Sequence, residues 1–177
     1  TTTSSAGASV LLALPPEEVT GRGAGLSSEG LARKRLAVRR AIACNAPDPS
    51  DAFDVLQKVG GLDLAGMAGA FLGGAAMQMP VVIDGFISAV AALCAVRLCP
   101  AAEKAVFASH VSSEPAAHIV LDALCKKPLI TAELHLGEGT GAVMVFPLLD
   151  MALRVYAGEH TFGNLGMEAY EPQEGKP

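Results

Sequence analysis

Pro80-Val81-Val82-Ile83-Asp84-Gly85 is the stretch on which the fold turns. Three β-branched residues in a row show no alternation of polar and apolar positions. Such a run reads as a buried strand of a parallel sheet whose carboxyl end, Asp84-Gly85, meets a loop. Phe86–Leu98 returns to a helix pattern, and Ala105-Val106-Phe107-Ala108-Ser109-His110 is a second short strand that again ends in polar groups. Strands alternating with helices imply an α/β domain: a Rossmann-like parallel sheet flanked by helices. Ligands of such sheets bind outside the carboxyl ends of the strands. Asp84-Gly85, Ser109-His110 and the turn Gly137-Glu138-Gly139 are all expected there.

Upstream the pattern is helical. Thr1–Ser5 offers cap hydroxyls to a helix over Ala6–Leu14, which Pro15-Pro16 ends. The glycine-rich turn Gly21-Arg22-Gly23-Ala24-Gly25 precedes a helix over Glu29–Cys44, capped by Ser27 or Ser28. Ser50 is expected to cap a short helix, Asp51–Val59, stopped by Gly60-Gly61. Leu64–Met77 is apolar on nearly all sides and is expected to be buried. Downstream, Glu114–Cys125 reads as a helix with Glu114 in its first turn. Leu129–Leu136 reads as extended or irregular, and Ala142–Tyr156 as a helix. The expected division is 1–157 for the domain and 158–177 for an acidic, proline-bearing tail or arm.

Leu136-Gly137-Glu138-Gly139-Thr140-Gly141 sets one carboxylate between two glycines at the start of an apolar helix. Glycine lets backbone approach a ligand closely and reach φ values that other residues avoid. A helix start offers unpaired N–H groups to an anion. The stretch reads as a ligand-cradling turn that projects one acid, or as a plain turn with a solvated Glu.

Composition narrows the classes. The 177 residues are 51% hydrophobic and 18% charged, enough for one domain with a sizeable core. A net charge of −5 argues against phosphate-led nucleic-acid binding. The basic cluster Arg33, Lys34, Arg35, Arg39, Arg40 reads as a solvated helix face. Cys44, Cys94, Cys99 and Cys125 show no metal-ligand spacing, sit in apolar segments and read as buried free thiols of a cytoplasmic protein. Met67, Phe71, Met77, Met79 and Phe86 are expected in the core. Leu62–Met79 is rich in glycine and carries Asp63 near its start, so it does not read as a membrane span. Its Gly69 and Gly73 suit close packing of soluble elements. The chain opens on Thr1-Thr2-Thr3 without Met and runs at once into an apolar segment, which reads as a fragment or a processed chain.

Five stretches, in one order, carry a family resemblance. They are Gly21-x-Gly23-Ala24-Gly25-Leu26; Asp54-Val55-Leu56-x-Lys58-Val59-Gly60-Gly61-Leu62-Asp63; Pro80 to Ser88; Ala108-Ser109-His110-x-Ser112-x-Glu114; and Leu136 to Gly141. Together they resemble the nicotinate-nucleotide:dimethylbenzimidazole phosphoribosyltransferases, which make the lower-ligand nucleotide of cobalamin. The likeness runs from Thr1 to about Phe162. The family's chain is about twice as long, and its upstream half supplies sheet strands, much of the base pocket and a second carboxylate. The resemblance therefore implies an incomplete domain, the carboxyl-terminal half.

The resemblance further implies transfer of a 5-phosphoribosyl group from nicotinate mononucleotide to a benzimidazole-type base. It implies Glu138 as general base and a phosphate site at Gly23, Ala24 and Lys34. Asp84 is expected either on the ribose hydroxyls or capping the helix at Phe86. Ser112 is expected near the phosphate or ribose, and Leu136, Gly137, Gly139 and Thr140 around the ligand. His110 reads as structural rather than as an acid or base. The family implies no metal and no organic cofactor, a homodimer, and the upstream half as partner. A different acceptor, or a non-catalytic nucleotide-binding module, are the alternatives.

Overall fold

The computed structural model describes residues 1–134, 137–158, 161–168 and 171. The chain divides into two compact units, Thr1–Val145 and Phe146–Pro177.

In the first unit, strand β1 (Val81–Ile83) pairs in parallel with β2 (Val106–Ala108), Val81 opposite Val106 and Ile83 opposite Ala108. A third extended segment follows in the same sense: Ile130 N–H donates to the Ser109 carbonyl at 2.8 Å, and His110 bridges Ile130 in parallel. Three chain segments thus run side by side and leave the sheet at one end. The β-branched run behaves as expected, although Val81 and Val82 are only half-buried and Ile83 alone is fully so.

Helix α6 (Phe86–Leu98) lies at the centre of the core and has the predicted bounds. Ala89, Val90, Ala91, Ala92, Leu93, Cys94 and Ala95 are all buried. A helix apolar all round must be covered on every side, and its alanines let neighbours come close. Around it pack α1 (Thr2–Leu11), α4 (Ala52–Val59), α5 (Leu62–Ala76), the 3₁₀ turn Pro100–Ala105 and α7 (Ala117–Ala123). The short α2 (Pro16–Val19) and the long α3 (Ser28–Asn45) pack with α1. Ser27 caps α3, its hydroxyl accepting from Gly30 N–H at 3.1 Å.

Several expectations change. Of the opening hydroxyl residues only Thr1 stands at the N-cap position of α1, without a side-chain cap bond; Thr2–Ser5 lie inside the helix, with Ser4 and Ser5 buried. Asp51, not Ser50, caps α4, accepting from Phe53 and Asp54 N–H; Ser50 instead folds onto Asp48. Helix α5 is buried on one face only, through Leu64, Ala68, Phe71 and Gly74. Leu62 is 94% exposed, Met77 and Met79 are exposed too, and open space lies beside Gly66, Gly69 and Gly73. The close packing expected of Gly69 and Gly73 is absent among the described residues. Of the four thiols only Cys94 is buried.

Helix α8 (Thr140–Ala157) starts in the first unit and continues into the second. By length and composition it is the one helix among the described residues apolar enough to cross a membrane, although it carries Asp150, Arg154 and an internal Pro147. That character falls on this segment and not on Leu62–Met79. The second unit holds the later turns of α8 and a compact turn over Thr161–Met167. There Met167 N–H donates to the Phe162 carbonyl at 2.8 Å, and Gly166 takes φ 63°.

Candidate active site at the carboxyl ends of the strands

Gly137, Glu138 and Gly139 take φ values of 76°, 54° and 81°, three left-handed residues in succession. Glycine does this without penalty; glutamate does not. The other non-glycine residues of this kind, Ala13, Ala46, Gln78 and Cys125, each follow the end of a helix, where left-handed caps are common. Glu138 instead stands just before a helix begins. The Glu138 side chain is exposed. Thr140 closes the turn, its N–H and its hydroxyl both donating to the Gly137 carbonyl. Leu136 lies outside the described residues.

Asp84 fixes this turn from the sheet. Its Oδ2 accepts from Gly139 N–H at 3.1 Å and its Oδ1 from Ala142 N–H at 3.2 Å. The β1 carboxylate thus caps α8 across more than fifty residues of chain, complementing the positive end of that helix. The other helix start, at Phe86, which Asp84 was expected to cap, is served by a different side chain. Helix α6 is capped by Ser88, whose Oγ accepts from Asp84 and Gly85 N–H. The N–H groups of Gly139 and Thr140, expected to face a ligand, are likewise engaged within the chain.

His110 completes the support. Ser109 Oγ donates to the Asp84 carbonyl at 2.9 Å and lies 3.0 Å from His110 Nδ1. With the hydroxyl hydrogen so placed, Nδ1 is the donor of that contact. A Cβ on Gly141 would lie 2.0 Å from His110 Nδ1. Only glycine therefore lets α8 start directly over the imidazole, and the structural reading of His110 fits. Ser112 lies close to Gly85 and borders a tight crevice formed with Phe86, His110 and Leu121.

The second glycine turn forms a pocket of about 280 Å³ lined by Thr1, Thr2, Arg22 to Leu26 and Lys34. Lys34, expected on a solvated face, is only 8% exposed. Its Nζ donates to Thr1 Oγ1 at 2.8 Å and to the Gly21 carbonyl at 2.9 Å. Burial pushes its ammonium below the ordinary lysine range, and the Glu114 carboxylate partly restores it. Gly23 takes φ 56°, and its N–H donates to Glu114 Oε1 at 2.9 Å. Ala24 lines the same pocket.

Glu114 is the residue that sequence reasoning missed. It precedes α7 rather than sitting in its first turn, and it reaches back 91 residues to the glycine turn. Its place in a resemblance stretch marks the residue but not this contact, because its partner is a backbone amide in a distant segment. The structure thus gathers Asp84, His110, Gly139 and Gly141 in one cluster and Gly23, Lys34 and Glu114 in another. The segment 109–114 carries residues of both.

The fold and these clusters define an α/β protein with glycine turns and polar groups at the carboxyl ends of a parallel sheet. The chain belongs to the DBI_PRT phosphoribosyltransferase family, which it matches over residues 1–166. It is 49% identical over 173 residues to the nicotinate-nucleotide--dimethylbenzimidazole phosphoribosyltransferase of Acetivibrio thermocellus, covering 98% of this chain and 49% of that protein. The protein of that name from Ruminiclostridium cellulolyticum is 47% identical over 174 residues, with 98% and 49% covered. Among solved structures, CobT from Thermus thermophilus superposes with a TM-score of 0.87 at 42% identity, over 94% of this chain and 50% of that one. The chain spans about half the length of the curated relatives it matches.

Proposed function

We propose that this chain forms the Glu138-bearing part of an enzyme transferring 5-phosphoribose from nicotinate mononucleotide to 5,6-dimethylbenzimidazole. The unprotonated ring nitrogen of the acceptor attacks C1′ of the ribose, the bond to the pyridinium nitrogen breaks, and nicotinate leaves with that electron pair. The product is α-ribazole 5′-phosphate. As the new C–N bond grows, the proton on the acceptor's other nitrogen becomes acidic, and the Glu138 carboxylate takes it. Ala24 N–H and Lys34 receive the 5′-phosphate in the turn that Gly23 shapes, the Gly23 N–H itself being held by Glu114. Asp84, Gly137, Gly139 and Thr140 hold the turn that presents Glu138, and Ser112 lines the ribose side.

The observation that carries this reading is the backbone of Glu138. A left-handed glutamate between two left-handed glycines, tied down by Asp84, is strain kept at one spot. Such strain persists where the surroundings over-determine it and is concentrated at functional sites. In a full-length protein that contains this chain, Glu138→Gln should lower the rate of α-ribazole phosphate formation about 10²–10⁴-fold with little change in nicotinate mononucleotide binding. Near-normal turnover would remove Glu138 as the base.

The exposure of Glu138 and the half-length match favour one further element of the proposal. The segment that relatives carry upstream, or a second copy in a homodimer, closes the acceptor pocket over Glu138. The protein acts in the cytoplasm, without membrane or nucleic acid. A chain that binds nicotinate mononucleotide yet never turns over when joined to that upstream segment would instead be a nucleotide-binding module. An acceptor other than dimethylbenzimidazole is distinguished by the product formed.

A further inference from the structure

We propose that Glu114 is a positioning residue that locks the Gly21–Gly25 turn into its phosphate-receiving form by accepting the Gly23 N–H. The proposal rests on the phosphate reading of that pocket.

Three observations meet at this carboxylate. Its Oε1 holds Gly23 N–H at 2.9 Å, which fixes a residue at φ 56° in the middle of the turn. Its Oε2 is buried and has no partner among the described residues. A Cβ on Gly21 would come within 2.0 Å of that oxygen and 2.6 Å of Pro115 Cδ. Glu114 and Pro115 therefore lie flat on the Gly21 backbone, and the carbonyl of that same Gly21 accepts from Lys34 Nζ. One acid braces the turn from behind at two points, the Gly23 amide and the bare Gly21 surface.

A buried carboxylate oxygen without a partner costs free energy. It is retained beside a site meant for an anion, where a negative neighbour is otherwise a disadvantage. Bracing accounts for the cost. With Gly23 N–H engaged, the pocket still offers Lys34 Nζ, whose two protein contacts leave one hydrogen, and the Ala24 N–H, which meets no protein acceptor among the described residues. The turn is pre-formed, so the ligand does not have to order it. The same loop carries Ser112 to Gly85, so it ties the phosphate turn to the cluster that holds Glu138.

The test titrates inorganic phosphate and nicotinate mononucleotide into the chain and follows the Gly23 and Ala24 amides by NMR. Glu114→Ala should weaken both ligands at least tenfold. Glu114→Gln, which keeps an acceptor for Gly23 N–H, should stay within threefold of the parent. Gly21→Ala should displace the carboxylate and mimic Glu114→Ala, and the double variant should be no worse than either single one. Additive losses in that cycle, or a Glu114→Gln variant as weak as Glu114→Ala, would overturn the bracing role. Lys34→Ala separates the two readings. If it leaves phosphate binding intact, the pocket is not the phosphate site. If it abolishes binding while Glu114→Ala does not weaken it, only the role of Glu114 fails. Should Glu114→Ala not fold, the Gln and Gly21→Ala arms decide alone.

Discussion

Asp84 shows how one side chain can decide the geometry of another. Its two oxygens take two amides of the α8 start, Gly139 and Ala142, so the carboxylate is used on both sides. Asparagine offers one acceptor for these two donors. Asp84→Asn should therefore lose one charge-assisted bond and leave a half-buried amide facing another donor, a cost of about 2 kcal/mol. Hydrogen exchange at Gly139 and Ala142 should rise by more than exchange in α6. Equal protection in the variant would mean that the turn holds itself. Lys34 gives a second prediction at this scale. Burial lowers the pKa of its ammonium from the ordinary value of 10.5, with Glu114 opposing. In the window just below that value the unfolded chain binds more protons than the folded one, so this group makes stability rise with pH there. Cys94, whose thiol burial pushes up to about 11 from 9.0, works in the opposite sense over the same range. The informative quantity is thus the difference between the parent and Lys34→Met. The urea midpoint of the variant, relative to the parent, should fall further behind as pH rises from about 8.5 to 10.5. A constant difference would mean that Lys34 binds its proton equally well in the folded and unfolded chains.

Elements whose signals are local were legible, and those whose signals are distant were not. Helix α6 keeps its predicted bounds because Asp84-Gly85 opens it and Cys99-Pro100 closes it, all within the run itself. Both strands were visible as short β-branched or apolar runs ending in polar residues. The cap of α4 falls one residue from its expected place, on Asp51 rather than Ser50, because both side chains are good caps and the choice depends on Asp48. That residue draws Ser50 away. Asp51→Ala should therefore cost about 1 kcal/mol, seen as a lower urea midpoint, while Ser50→Ala should cost far less. Equal losses would return the cap to Ser50. Helix α5 is less buried than its sequence implies, because periodicity tells what a helix could bury, not whether a partner is there to cover it. The site follows the same rule. The Glu138 turn and the Gly21–Gly25 turn stood out as glycine patterns. The contacts that hold them, Asp84 to Gly139 and Glu114 to Gly23, join residues 55 and 91 positions apart and leave no trace in either local segment.

At the scale of the whole chain the unmatched quantity is apolar surface. Leu62 is 94% exposed on α5, and along α8 Val143, Met144, Phe146, Leu148, Met151, Leu153, Val155 and Tyr156 are all exposed. Single exposed apolar residues need no explanation, but a continuous helix surface of them marks an interaction face or an aggregation liability. Inside α8 these positions follow one another too closely to be one stripe. They cover most of the helix after Val145, which alone with Gly141 is buried. A helix of this kind is stable in water only when something covers it. The half-length match supplies a physical source for that cover, the part of those relatives that lies outside the matched half. The expected outcome is that the 177-residue chain associates with itself as concentration rises, and that this association is driven by α8. Sedimentation velocity over a wide range of protein concentration should show a growing weight-average mass for the parent. A variant carrying Met151→Lys, Leu153→Glu and Val155→Lys should remain monomeric, with the amide hydrogen-exchange protection of α6 unchanged. Joining the upstream segment of the Acetivibrio thermocellus relative should suppress the same association without any substitution. If the parent stays monomeric throughout, α8 is covered from within the chain, and its apolar residues do not form an interaction face.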